Sequence, residues 1–258
     1  MKKSQIVSNI VFGLHSAEAL LHHSPQRVER LLLVKGRSDQ RLQKLQQMAE
    51  KHRIPISLTN RDEMDKLATN HQGIIVFITS AKPVYDERYL DDGLSKLTKP
   101  AFILILDEVT DPQNLGACLR SAEAAGVDWV ITPKNNSASL TPAAVKVACG
   151  AAEIVPLITV TNLVRTLKKL QAEGIWILGT AAEADQYYYQ ADLSAPIALV
   201  MGAEGKGLRR LTRECCDGLI RIPLLGQVSS LNVSVAAGIC LFEVVRQREL
   251  AFAADKIE

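Results

Sequence analysis

A series of apolar runs spaced by helix-like segments constrains this chain most. "AFILILD" (101–107), "VDWVIT" (127–132), "EIVPLI" (153–158), "IWILGT" (175–180), "PIALVMG" (196–202) and "GLIRIPL" (218–224) read as strands. Between them lie "NLGACLRSAEAAG" (114–126, with Gly126 as the C-terminal stop), "TPAAVKVACG" (141–150, with Pro142 in its first turn), "NLVRTLKKLQAEG" (162–174) and "LRRLTRECC" (208–216), and a last helix spans about 232–249. Nearly continuous apolar strands alternating with helices predict a mainly parallel sheet covered on both faces. In such a sheet ligands bind beyond the carboxyl ends of the strands. Strand and helix order alone would give an open, doubly wound topology.

The N-terminal part follows a shorter pattern. "SAEALLHH" (16–23) and "DQRLQKLQQMAEKH" (39–52, with Leu42, Leu45 and Met48 at helical spacing) predict helices. "VERLLLV" (28–34), "IPISL" (54–58) and "GIIVFIT" (73–79) predict strands. The expected organisation is a small α/β module over 1–79, a polar linker over 80–99 that holds one short helix, and a large α/β domain over 100–258.

Charge divides along the same line. The net charge is only +2, yet residues 1–77 carry twelve Lys/Arg against seven Asp/Glu and all five histidines. A basic module on a slightly acidic body suits a polyanionic partner as readily as it suits chance. The five cysteines (118, 149, 215, 216, 240) form no C-x-x-C pair, and no histidine follows His71, so neither a disulfide framework nor a metal site is expected. With no membrane-length apolar run and no signal sequence, a soluble cytoplasmic protein is expected.

Three loops after strands carry unusual residues. In "DEVTDPQNLGACLR" (107–120), Asn114 reads as a helix cap, with Arg120 nearly two turns further on along roughly the same side. "MGAEGKGL" (201–208) puts three glycines around Glu204 and is neither a Walker loop nor a dinucleotide fingerprint. "IPLLGQVSSLNVSVAAG" (222–238) leads through Ser230 and Asn232 into a helix with small residues in its first turns. Each loop alone reads equally as capping and turn chemistry. The absence of histidine from the large domain excludes triad-type base catalysis there, and leaves chemistry that needs positioning and charge, such as transfer from an activated donor.

Taken together and in this order, the three loops resemble the motifs of the SpoU/TrmH family, the RNA ribose 2′-O-methyltransferases of the SPOUT class, and the resemblance spans 100–250. It implies a deep trefoil knot in place of the open sheet, S-adenosylmethionine as methyl donor and no metal. It implies Asn114, Arg120, Glu204, Ser230 and Asn232 as catalytic residues, and backbone around Thr180, Ala181, Gly202, Ile222 and Leu231 as the cofactor site. The family's proposed general base is Arg120, a demanding role because an arginine ordinarily stays protonated. A charged Arg120 that binds phosphate and stabilises a developing alkoxide is the more economical reading. Asn114 would orient Arg120 or the ribose, Glu204 would hold Arg120 or a substrate amide, and Ser230 and Asn232 would fix the loops.

The N-terminal stretch "VFGLHSAEALL" with "GIIVFI" resembles the substrate-binding domain of some members, a fold similar to an RNA-binding ribosomal protein. It turns the expectation toward a guanosine in the peptidyl-transferase loop of 23S rRNA or a large-subunit precursor, rather than tRNA. The last helix would sit in a homodimer interface. A non-catalytic RNA-binding or ribosome-assembly protein is the alternative of another class. "QYYYQ" (186–190) could stack on bases or close a loop, and "LRRLTR" (208–213) could touch phosphates or be a solvated helix face.

Overall fold

The computed structural model describes residues 10–37, 39–79 and 85–254. Lys2 and Lys3 of the basic module and the first five positions of the expected linker lie outside the described residues. The chain divides into two compact units, 1–83 with 149–154, and 84–148 with 155–258.

In the first unit, β1 (Ile10–Phe12), α1 (Leu14–His23), β2 (Val28–Val34), α2 (Gln40–Lys51), β3 (Ile56–Thr59), α3 (Arg61–Asp65) and β4 (Ile74–Ile78) follow in order. The sheet runs β1-β4-β2-β3, with β2 and β3 parallel and β4 antiparallel to both β1 and β2. Asp39 caps α2 by accepting from the N–H groups of Arg41 and Leu42. Leu42, Leu45 and Ala49 then bury one helix face among Leu20, Leu31 and Val76. A later segment returns to this unit, and Glu153 pairs with the buried Arg27 at 2.6 Å.

The second unit contains α4 (Glu87–Leu94), β5 (Phe102–Leu106), α5 (Pro112–Ala124), β6 (Trp129–Pro133) and α6 (Pro142–Val147). The short α7 (Ala151–Ile154) belongs to the first unit. Then come β7 (Leu157–Val160), α8 (Leu163–Ala172), β8 (Trp176–Thr180), β9 (Gln186–Tyr187), β10 (Ile197–Met201), α9 (Arg210–Glu214), β11 (Gly218–Arg221) and α10 (Val233–Ala254). The sheet order is β7-β6-β5-β10-β8-β11-β9, and every pairing is parallel. β5 and β10 are buried at all five positions, as centre strands covered on both faces must be. Ile103 and Ile105 pack with Leu163, Leu167 and Leu170 of α8, and Leu90 of α4 joins the same cluster. The segment expected as a linker thus gives a helix to the core. α5 and α10 pack on each other, and a Cβ added at Gly238 of α10 would meet Ser121 Oγ of α5 in ordinary contact at 3.7 Å.

Three local expectations are corrected. Asp111, not Asn114, caps α5: its Oδ1 accepts from Gln113 N at 2.9 Å, and Pro112 fills the first helical position, where no N–H is needed. The run 153–158 is not a strand, because the chain is helical to Ile154 and pairing begins only after Pro156, at Leu157. Asn114 and Arg120 do not share a side: six residues at about 100° each leave them roughly 120° apart, and Asn114 is buried while Arg120 is exposed.

Candidate active site

Because all strands of the second sheet are parallel, β5, β8, β10 and β11 end at one edge. There the chain turns into the loops that carry the motif residues. The loop after β10 is closed by two backbone hydrogen bonds between Ala203 and Gly207, at 3.1 and 2.9 Å, with Gly205 and Gly207 at positive φ. Gly202 is required by space: a Cβ there would lie 2.2 Å from the Gly207 carbonyl carbon and 2.5 Å from Leu208 N. Asp107, fully buried at the end of β5, anchors the far side of this loop. Its carboxylate accepts from Arg209 N at 3.1 Å and from Arg209 Nε at 2.7 Å. The acid closing "AFILILD" was the available sequence signal for this anchor.

α10 begins beside that loop. Asn232 caps it, its Oδ1 accepting from Ser234 N at 2.9 Å and from Ser234 Oγ at 2.6 Å. The other end of the amide reaches across: Asn232 Nδ2 donates to Glu204 Oε1 at 2.8 Å and to Asn114 Oδ1 at 2.9 Å. Asn114 Nδ2 and Val233 N donate to the same carboxylate oxygen, at 3.1 and 3.3 Å. Three residues from three separate segments, Asn114 in the first turn of α5, Glu204 in the glycine loop and Asn232 at the start of α10, therefore form one hydrogen-bonded cluster around an ionisable oxygen. Hydrogen bonds to a charged group are the strong ones, typically about 1.5–3 kcal/mol.

A cavity of about 370 Å3 opens against this cluster. Thr180, Ala181, Gly202, Ile222 and Leu231, which the resemblance implies as a set from four points of the chain, all line it, as do Glu204 and Ser230. The Thr180 hydroxyl is turned to Val200 O at 3.2 Å, so this residue offers its backbone and methyl to the cavity rather than a free donor. Ser230 lines the cavity, and its hydroxyl has no hydrogen-bond partner among the described residues. Arg120 is not among the lining residues. Lys206, Arg213 and Glu183 also line the cavity, the last two as an ion pair; Lys206 sits inside "MGAEGKGL" with no role expected for it, Arg213 inside "LRRLTR", and Glu183 lies outside every stretch singled out.

The expected nucleic-acid contacts outside the loops are already engaged. Arg209, Arg210 and Arg213 pair with Asp107, Glu214 and Glu183. Tyr187 stacks with Tyr189 and receives Arg221 over its ring. Burial pushes the thiols of Cys118 and Cys240 up to about 12. Among the described residues no group of His, Cys, Asp and Glu is placed to hold a metal, and no helix is long and apolar enough to cross a membrane.

The model of the SpoU rRNA methylase family matches residues 101–242, and that of the RNA 2′-O ribose methyltransferase substrate-binding domain matches 10–84. The chain belongs to the SpoU rRNA methylase family. Its relatives include the 23S rRNA (guanosine-2′-O-)-methyltransferase RlmB of Shewanella oneidensis, 58% identical over 93% of this chain and 98% of that protein. RlmB of Escherichia coli K12 is 55% identical over 94% of this chain and 100% of its own length. Among solved structures, the SpoU methyltransferase AviRb of Streptomyces viridochromogenes in complex with AdoMet superposes with a TM-score of 0.76 at 25% identity, covering 93% of this chain and 90% of that one. The two-unit α/β architecture is that of SpoU methyltransferases.

Proposed function

We propose that this SpoU-family chain transfers a methyl group from S-adenosylmethionine to the ribose 2′-hydroxyl of a guanosine in 23S rRNA. The observation that carries the reading is convergence: five cofactor positions expected from sequence line one cavity, and that cavity abuts the Asn114–Glu204–Asn232 cluster. Relatives sharing more than half of their residues over nearly the whole chain carry this activity in their names.

The lining suits the donor. Ile222, Leu224 and Leu231 offer an apolar wall to a purine, while Glu204, Lys206 and Arg213 present both signs of charge to an amino-acid moiety. When bound, S-adenosylmethionine supplies an electrophilic methyl on a positively charged sulfur. The protein's own work is then alignment. Asn114 and Asn232 fix the Glu204 carboxylate, and with it the loop 202–207 that borders the donor. Ser230 keeps a hydroxyl free on the cavity wall. A charged Arg120 holds the substrate phosphate and stabilises the oxygen as it loses its proton.

The unit of 1–83 with 149–154 serves as the RNA-binding domain, and the unit of 84–148 with 155–258 is the methyltransferase domain, with the C-terminal segment threaded through the knot that the resemblance implies. The enzyme acts in the cytoplasm as a homodimer. Val235 and Phe242, seven residues apart on one side of α10, are 51% and 49% exposed, a pattern that suits a subunit contact.

The test is transfer of labelled methyl from S-adenosylmethionine to unmodified bacterial 23S rRNA and, in parallel, to bulk tRNA. Label in 23S rRNA supports the assignment. Label in tRNA alone overturns the substrate while keeping the chemistry, and a chain that binds neither donor nor RNA overturns both.

A further inference from the structure

The first unit carries a second cleft, of about 450 Å3, at one end of its sheet. β2 and β3 run parallel and β4 runs against β2, so the ends of β2 and β3 meet the start of β4. Lys35 follows β2, Asn60 and Arg61 follow β3, and Asn70 and Gln72 precede β4; all five side chains are exposed and all line the cleft.

The cleft has a built floor. His71 is 3% exposed, and its Nδ1 accepts the Gly73 N–H at 3.0 Å. The ring proton therefore sits on Nε2, which donates to Asp65 Oδ1 at 3.2 Å; Asp65 is the one carboxylate of the lining, and its side chain is 53% exposed. Arg37 is fixed as a wall, with Nη1 donating to Gln72 O at 2.8 Å and Nε to Asp39 Oδ2 at 2.6 Å. Gln72 Oε1 accepts from Leu14 N at 3.0 Å, which ties the rim to α1 and leaves the Gln72 Nε2 as a donor.

Against this fixed frame stand two cations, Lys35 and Arg61, without an ion-pair partner among the described residues. Two like charges held beside three exposed carboxamides suit a ligand that brings negative charge together with a hydrogen-bonding edge. We infer that this cleft seats one unpaired nucleotide of the RNA substrate, with the phosphodiester on Lys35 and Arg61 and the base edge on the amides of Asn60, Asn70 and Gln72. The inference rests on the proposed function for the identity of the RNA.

The test uses the full chain. Lys35→Gln/Arg61→Gln is compared with wild type for binding of a 23S rRNA transcript at several salt concentrations. Lys51→Gln, at the opposite end of α2 from Asp39, serves as the charge control. Binding by the double variant weakens about tenfold, and its log–log salt slope falls by about 0.7, the loss expected for one single-strand phosphate contact. Donor affinity stays unchanged, and melting temperatures report on folding. Equal affinity and slope in wild type and double variant, or an equal loss in the Lys51→Gln control, overturns the cleft. Displacement of wild-type RNA binding by millimolar inorganic phosphate to the level of the double variant supports it. Failure of wild type to methylate 23S rRNA overturns the proposed function alone, because affinity and slope are read without catalysis.

Discussion

Asn232 Nδ2 lies 2.8 Å from Glu204 Oε1, so the residue that starts the last helix also holds the acid of the glycine loop. With Asn114 and the Val233 N–H on the same oxygen, removal of the carboxylate leaves three donors without their acceptor. Glu204→Ala should cost about 1–3 kcal/mol of stability and most of the methyl transfer. Chemical denaturation and transfer assays on one preparation check both. Wild-type turnover in this variant would remove the cluster from the mechanism.

Gly202 is limited by its neighbours rather than by its backbone angles. Its added Cβ would meet the backbone of Gly207 and Leu208, and neither can yield without moving the loop. Gly202→Ala should therefore weaken donor binding by about 1–3 kcal/mol, roughly ten- to a hundredfold, as titration calorimetry would read it. Affinity equal to wild type would show that the loop does not border the donor.

Arg120 gives the opposite signature. It is exposed on α5 and lines no part of the donor cavity. Arg120→Ala should lower kcat by about 10²–10³-fold while donor affinity stays at the wild-type level. Single-turnover transfer with calorimetry separates the two quantities, and a loss of donor binding in a folded variant would contradict the assigned role.

The Arg27–Glu153 pair joins α7 to the first unit through side chains that are only 9% and 6% exposed. Breaking such a pair takes the carboxylate away from a buried guanidinium. Glu153→Ala should cost about 3–5 kcal/mol, read from urea unfolding curves. A shift within the error of the curves would mean that water reaches Arg27.

Glu87 provides a pH test. Burial opposes its charged form, but the Thr161 N–H and hydroxyl and the Arg165 guanidinium outweigh burial and hold its carboxyl below the usual range. A pKa lowered in the folded state gives stability that is fully present above the unfolded value of about 4.3 and is lost as pH falls through the folded value. The urea midpoint of Glu87→Gln should lie below that of wild type at pH 6, and the gap should shrink below about pH 4.3 and vanish once pH is below the folded value. A gap independent of pH would assign the effect to packing.

The sheet was legible because its strands are nearly unbroken apolar runs; β2 coincides with "VERLLLV", and β5 and β10 lie inside the runs read for them. Asn114, Glu204 and Asn232 were legible as a set because their order resembles a family pattern. What escaped was set by tertiary structure. The Asp–Pro step before α5 takes the cap that Asn114 seemed suited to fill. The segment 149–154 leaves the pattern because it belongs to the other unit. The cleft around Lys35 and Arg61 exists only because β2 and β3 run parallel, and no local spacing carries that information.

Nucleoside analysis decides whether this chain methylates a guanosine ribose in 23S rRNA. Unmodified 23S rRNA is incubated with the protein and S-adenosylmethionine, digested to nucleosides and separated by mass, and the modified position is mapped by its resistance to alkaline cleavage. The account predicts one new 2′-O-methylguanosine in the peptidyl-transferase region, absent when Arg120→Ala replaces wild type. A methyl group on a base, on another nucleoside or only in tRNA would contradict it.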